Sequence, residues 1–261
     1  MRTRNIFWGL LILIIGIVLL MNQLIPGLEL YKYLGGIVLV LIGVWLLLRY
    51  FIFQGKNTEE QVQVPLENAR EAIITLHHGA GRLLVGAGAK PEILLNGEIV
   101  GSFQKEVSRS GEKAFVELKM SEEAWFGSRF HEGLDWNLVL NEEIPLSLQI
   151  KGGASEIRLN LTNLKVNDLD LQTGANSTVI RLPENAGHTR VRVSTGVSSL
   201  KINVPEGVGA RIATQGGITS IHVDSRKFPK RGNIYESVDF DKYANKIDMK
   251  LESGVGSVEV Y

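Results

Sequence analysis

LDLQTGANSTVIRLP, Leu169–Pro183, is followed 22 residues on by VRVSTGVSSLKINVP, Val191–Pro205. In both stretches apolar side chains alternate with polar ones, a glycine intervenes, and alternation resumes before a proline. The same grammar occurs six times: Ile74 and Leu76 before Gly79, Leu148 and Ile150 before Gly153, Leu169 and Leu171 before Gly174, Val191 and Val193 before Gly196, Ile212 and Thr214 before Gly217, and Met249 and Leu251 before Gly254. Four and six residues after each glycine the chain is again apolar or β-branched, as at Ile157 and Leu159 or Leu200 and Ile202. A period of two marks a strand with one buried face. A glycine at a fixed place between two such runs marks a corner, through positive φ or because a Cβ has no room.

The corners recur at 21, 22 and 21 residues from Gly153 to Gly217. A fixed period of this size predicts a β-solenoid or a related stack of strands, in which each unit buries its apolar face only against its neighbours. Leucine-rich repeats share the period, and LTNLKVNDLDL resembles one superficially. That reading fails because Leu169 stands where the motif needs asparagine. Pro183 and Pro205 are expected to end their strands, having no N–H to donate.

The first 56 residues are a different material. They carry Arg2, Arg4, Lys32, Arg49 and Lys56 against one acid, Glu29, although the whole chain balances 28 basic with 28 acidic side chains. NIFWGLLILIIGIVLLMNQLIPGL (5–28) has no charge and is long enough to cross a bilayer, and LGGIVLVLIGVWLLL (34–48) follows it. A two-helix transmembrane hairpin over residues 1–53 is therefore expected, with a linker over 54–63 and a β-domain over 64–261. A cleaved signal peptide is disfavoured by the length of the first run and by the second span directly after it. Gly9 with Gly16 and Gly36 with Gly43 give each helix a small-residue seam, for packing within the hairpin or against another membrane protein. Basic residues flank the side that holds both termini, so the positive-inside rule places the C-terminal domain in the cytoplasm.

WGLLILIIGIVLLMNQL with GGIVLVLIGVWLLL resembles the LiaI/LiaF-like transmembrane region. The stretch from WNLVLNEEIPLSLQIKGG to the C-terminal SGVGSVEVY is similar to the "toast rack" β-domains found beside it in bacterial envelope-stress proteins. The resemblance implies a multi-pass bacterial membrane protein, without enzymatic activity, that modulates cell-envelope stress signalling by binding a sensor kinase or another envelope-stress protein. It carries over no catalytic residue, cofactor or metal.

Two insertions interrupt the repeat, near 100–140 and 226–246. The first contains the expected hairpin KEVSRSGEKAFVEL, turning at Ser110-Gly111, and then EEAWFGSRFHEGLDW. Trp125, Phe126, Phe130 and Trp136 are candidates for a partner-binding face, or for a cap over an open end of the stack. A glycan- or lipid-binding module using these aromatics is the alternative function. In the second insertion Arg226, Lys227, Lys230 and Arg231 are candidates for lipid-headgroup contact, or form a solvated loop balanced by Glu236, Asp239 and Asp241.

Several classes are disfavoured. The absence of Cys removes thiolate metal sites and a Cys nucleophile. Neutral overall charge speaks against general nucleic-acid binding. His77, His78, His131, His188 and His222 show no metal-ligand spacing, and GAGRLLVGAGAK matches neither the phosphate loop nor the dinucleotide fingerprint. His77 and His78, being adjacent, are expected to face opposite sides of a strand. The sequons at Asn160 and Asn176 are chance-level tripeptides.

Overall fold

The computed structural model describes residues 59–120 and 134–261. Among these residues no helix is long and apolar enough to cross a membrane, and both expected spans lie outside them. The described part is built of strands: β1 (Glu59–Pro65), β2 (Glu71–Ala87), β3 (Ile93–Val100), β4 (Phe103–Ser110), β5 (Lys113–Met120), β6 (Trp136–Leu140), β7 (Leu146–Asn160), β8 (Val166–Arg181), β9 (His188–Asn203), β10 (Val208–Val223), β11 (Lys230–Arg231), β12 (Ile234–Glu236) and β13 (Asn245–Val260). β1 starts inside the stretch expected as linker and pairs antiparallel with β3.

Each of the six repeats is one long strand bent at its glycine. All six lie parallel and in register, in the order β2, β7, β8, β9, β13, β10. Their first halves make one sheet and their second halves another, and the core fills the angle between the two. Leu169, Leu171 and Ile180 of β8 and Val191, Val193, Leu200 and Ile202 of β9 are all buried there. The connections close the third side through buried Leu161, Leu164, Leu182 and Val204. They are tied layer to layer by Leu161 N–H to Arg181 O at 2.9 Å and Leu182 N–H to Asn203 O at 3.1 Å.

Alternation changes phase at the corner, since apolar residues lie an odd number of positions before the glycine and an even number after it. The bend does this without left-handed backbone, as none of the six corner glycines has positive φ. Crowding is the reason for glycine here. A Cβ on Gly196 would lie 2.8 Å from the Gly174 carbonyl oxygen, one on Gly254 2.7 Å from that of Gly196, and one on Gly217 2.7 Å from that of Gly254. Gly153 stacks in the same way on Gly79, and Gly174 on Gly153 with a looser 3.3 Å.

Two arrangements depart from a solenoid wound in chain order. β13, the last strand, lies between β9 and β10. At the other end, β5 pairs with the first half of β2 and β6 with its second half, so the two together form one further layer outside β2. The larger insertion thus continues the stack: Ala114, Val116 and Leu118 of β5 and Leu138 and Leu140 of β6 are buried in the same core. The hairpin expected at Ser110-Gly111 is present as β4–β5, with Ser110 opposite Lys113.

Candidate interaction surface

The side chain directly after each corner glycine points outward at the bend. In spatial order these are Ala80, Ala154, Ala175, Val197, Val255 and Ile218, each in register with the next. They form an apolar row along the outer ridge that grows in size toward β10. Val197 is 57% exposed, Val255 45% and Ile218 82%. Beside the small end stand Arg82 and Glu156, 3.6 Å apart. The large end is flanked instead by Ser199, Ser257 and Ser220, also in register. An apolar row bordered by hydroxyls, on a ridge with no neighbour among the described residues, suits contact with another protein surface. The row falls outside the inward-facing alternation that marks the repeat, yet its signal is in the sequence: the residue after each corner glycine is always apolar.

The inner side of the corner is polar. Thr195 Oγ1 and Ser198 Oγ lie 2.8 Å apart, Ser198 and Ser253 hydroxyls 3.3 Å, and Thr219 donates to the Ser253 carbonyl at 3.1 Å. Within β8, the neighbouring layer, the Asn176 side-chain amide donates to the Thr173 hydroxyl. At the β2 end this polar file reaches His78, whose Nε2–H donates to the Leu134 carbonyl at 2.9 Å while its ring meets Trp136 edge-on at 5.3 Å. Burial holds the His78 pKa below its ordinary value, partly offset by the bond to Leu134 and by the charge of Asp135. Gly81, at φ +104°, leaves Leu134 room to approach. His77 faces outward to Glu117 at 3.1 Å, so the two histidines do occupy opposite faces.

These contacts decide the role of Trp136. It is 1% exposed and packed in the core, so it supports the end layer and is unavailable to a partner. Trp125, Phe126 and Phe130 lie outside the described residues. Three of the four basic residues of the second insertion have a partner in the domain. Arg226 grips Asp224 through Nε at 3.1 Å and Nη2 at 3.2 Å, which holds the Asp224 carboxyl below its usual range. Lys230 sits over the Tyr235 ring at 5.5 Å, and Arg231 is 3.8 Å from Glu236. Lys227 is exposed.

The outer faces of the two sheets differ. Across the first halves runs a ladder of opposite charges, with Asp168 to Arg190 at 3.1 Å and Arg192 at 3.0 Å, and Arg211 to Asp248 at 3.5 Å and Glu236 at 2.6 Å. Across the second halves of β2, β7 and β8 and along β6 lies a shallow groove of about 520 Å³, with Leu84, Gly86, Val139 and Val179 in its lining and Arg158 and Arg181 beside them. Such a lining can accept an apolar group that carries a negative charge.

Residues 53–203 match the family described as the N-terminal domain of toast_rack, DUF2154, from just before β1 to the end of β9. The chain belongs to this family. Its toast-rack fold is also that of a crystal structure of a proposed cell adhesion protein from Clostridium sporogenes ATCC 15579, which aligns with TM-score 0.71 and 20% identity over 78% of this chain and 99% of that one. A proposed adhesin from Bacteroides fragilis NCTC 9343 aligns at TM-score 0.35 and 10% identity, over 79% of this chain and 98% of that one, too distant to bear on the fold. No curated protein matches the chain. The corner glycines and the strands they bend are thus the frame of a toast-rack domain, and the outward row at the bend is the surface this frame displays.

Proposed function

We propose that this chain is a membrane-anchored, non-enzymatic scaffold of the bacterial cell-envelope stress response that acts by protein–protein contact. The observation that carries the reading is the exposed row Val197, Val255 and Ile218, a costly surface to leave in water unless a partner covers it. Two uncharged apolar runs ahead of the domain support anchoring by a helical hairpin, and the basic residues around them favour a cytoplasmic domain. The partner is then a sensor kinase or another envelope-stress protein at the same membrane.

The test is genetic and biochemical together. Ile218→Lys with Val255→Lys, introduced at the native locus, is expected to reproduce the envelope-stress reporter response of a strain lacking the gene when a cell-wall antibiotic is added. The protein should remain folded and membrane-bound. A strain lacking the gene that responds like its parent would overturn the stress reading. A variant that behaves like the unaltered chain would move the contact away from the ridge.

A further inference from the structure

The two sheets have four edges among the described strands, and three of them are guarded. β4 ends the first-half sheet on one side with FQKEVSRS, whose Arg109 is tied to Pro65 O at 2.8 Å, Leu66 O at 3.1 Å and Glu67 at 3.0 Å. β11 ends it on the other side and is only Lys230 and Arg231. β1 ends the second-half sheet with EEQVQVP, which carries two glutamates and a proline. The fourth edge is the second half of β10, Ile218–Val223, reading ITSIHV. It has no acid, lysine, arginine or proline, and no described strand pairs with its far side. Natural sheets block such edges, because a row of unpaired N–H and C=O groups is a template for another strand.

The core is also unfinished at this edge. The inward position four residues after the corner is 0% exposed at Leu83 and Ile157, 1% at Leu200 and 2% at Val258, yet its counterpart Ile221 is only partly buried. We propose that two copies of this chain join here, the second half of β10 pairing antiparallel with itself about a two-fold axis near Ser220.

The edge suits itself. In that register Thr219 faces Ile221 of the second copy and Ile218 faces its His222, so no acid or basic chain meets its like. Thr219 and Ile221 share the inner face by strand alternation, so each copy covers the other's incomplete core. Joining β10 to β1 or β4 of another copy would bring glutamates, lysine or proline onto the edge and would propagate head to tail, whereas β10 on β10 closes. This inference rests on the edge alone and goes beyond the stress-response reading.

The sequence has no Cys, so a single introduced thiol reports one position. Residues directly opposite in an antiparallel pair have Cβ atoms about 4.5–5.5 Å apart, near enough for a disulfide after small adjustment. The full chain in detergent micelles carrying Ser220→Cys is expected to give a covalent dimer on oxidation. Ser257→Cys and Ser199→Cys, in the same row one and two strands further in, are expected to stay uncrosslinked. Ser220→Lys, an exposed change that sets like charges opposite each other, is expected to abolish the dimer in light-scattering mass while circular dichroism stays that of the parent. A monomeric parent chain, equal crosslinking at the three positions, or a dimer that survives Ser220→Lys would overturn the assignment.

Discussion

At the scale of the residue, the corner glycines are held by distance rather than by dihedral. The gap at Gly174 is 3.3 Å to the carbonyl oxygen beneath it and that at Gly196 is 2.8 Å, so the same methyl group fits one with slight adjustment and collides with backbone at the other. Gly196→Ala is therefore expected to destabilise by about 1–3 kcal/mol, the usual range for overpacking, and Gly174→Ala by clearly less. Thermal melts of the two variants check the order, and equal melting would remove crowding as the cause. All six glycines are marked in the sequence by the alternating runs on either side of them, but the choice between positive φ and crowding is not, since both demand glycine. His78 adds a pH dependence with a definite sign. Its folded pKa is depressed by burial, so stability is fully present above the ordinary imidazole value of about 6.5. Below it the unfolded chain binds a proton that the folded chain refuses, and stability falls by up to about 1.4 kcal/mol per pH unit. His78→Gln is expected to flatten the decline in melting temperature between about pH 6.5 and 5 relative to the parent, and parallel curves would sink the idea.

At the scale of the element, alternation was enough to identify both halves of every bent strand, because an inward apolar residue at every second position is what a half-buried strand requires. The same signal was present in β5 and β6, at Ala114, Val116 and Leu118 and again at Leu138 and Leu140, but no corner glycine joins them. The layer they complete therefore reads as an insertion, and Trp136 as a docking or end-capping residue rather than the core of a further layer. The charge ladder across the first halves is exposed, and pairs of this kind contribute at most about 1 kcal/mol each. Its larger effect is on register: Asp168 bonded to both Arg190 and Arg192 fits only the observed pairing of β8 with β9, in which Asp168 faces Arg190. A slip by one residue would turn every inward side chain outward.

At the scale of the whole molecule, the order of the layers was not legible, because the six repeats offer one another nearly equivalent faces and their intervals do not say which pairs meet. β13 demonstrates the cost of that ambiguity. In a stack wound in chain order, removing the last strand deletes an end layer and leaves the rest standing. Here removal of 245–261 takes out the layer between β9 and β10, along with the bond from Val204 N–H to Tyr261 O at 2.9 Å. The full chain shortened in this way is expected to lose cooperative melting of its β-signal altogether. A cooperative transition only a few degrees lower would instead show that β10 can close directly on β9. The placement of β13 also sets a timetable for biosynthesis. Repeats that stack in the order they are made can settle one after another as they leave the ribosome, but here the layer between β9 and β10 stays open until β13 has been made. Until then the open flanks of those two strands are the interval's natural client for a chaperone.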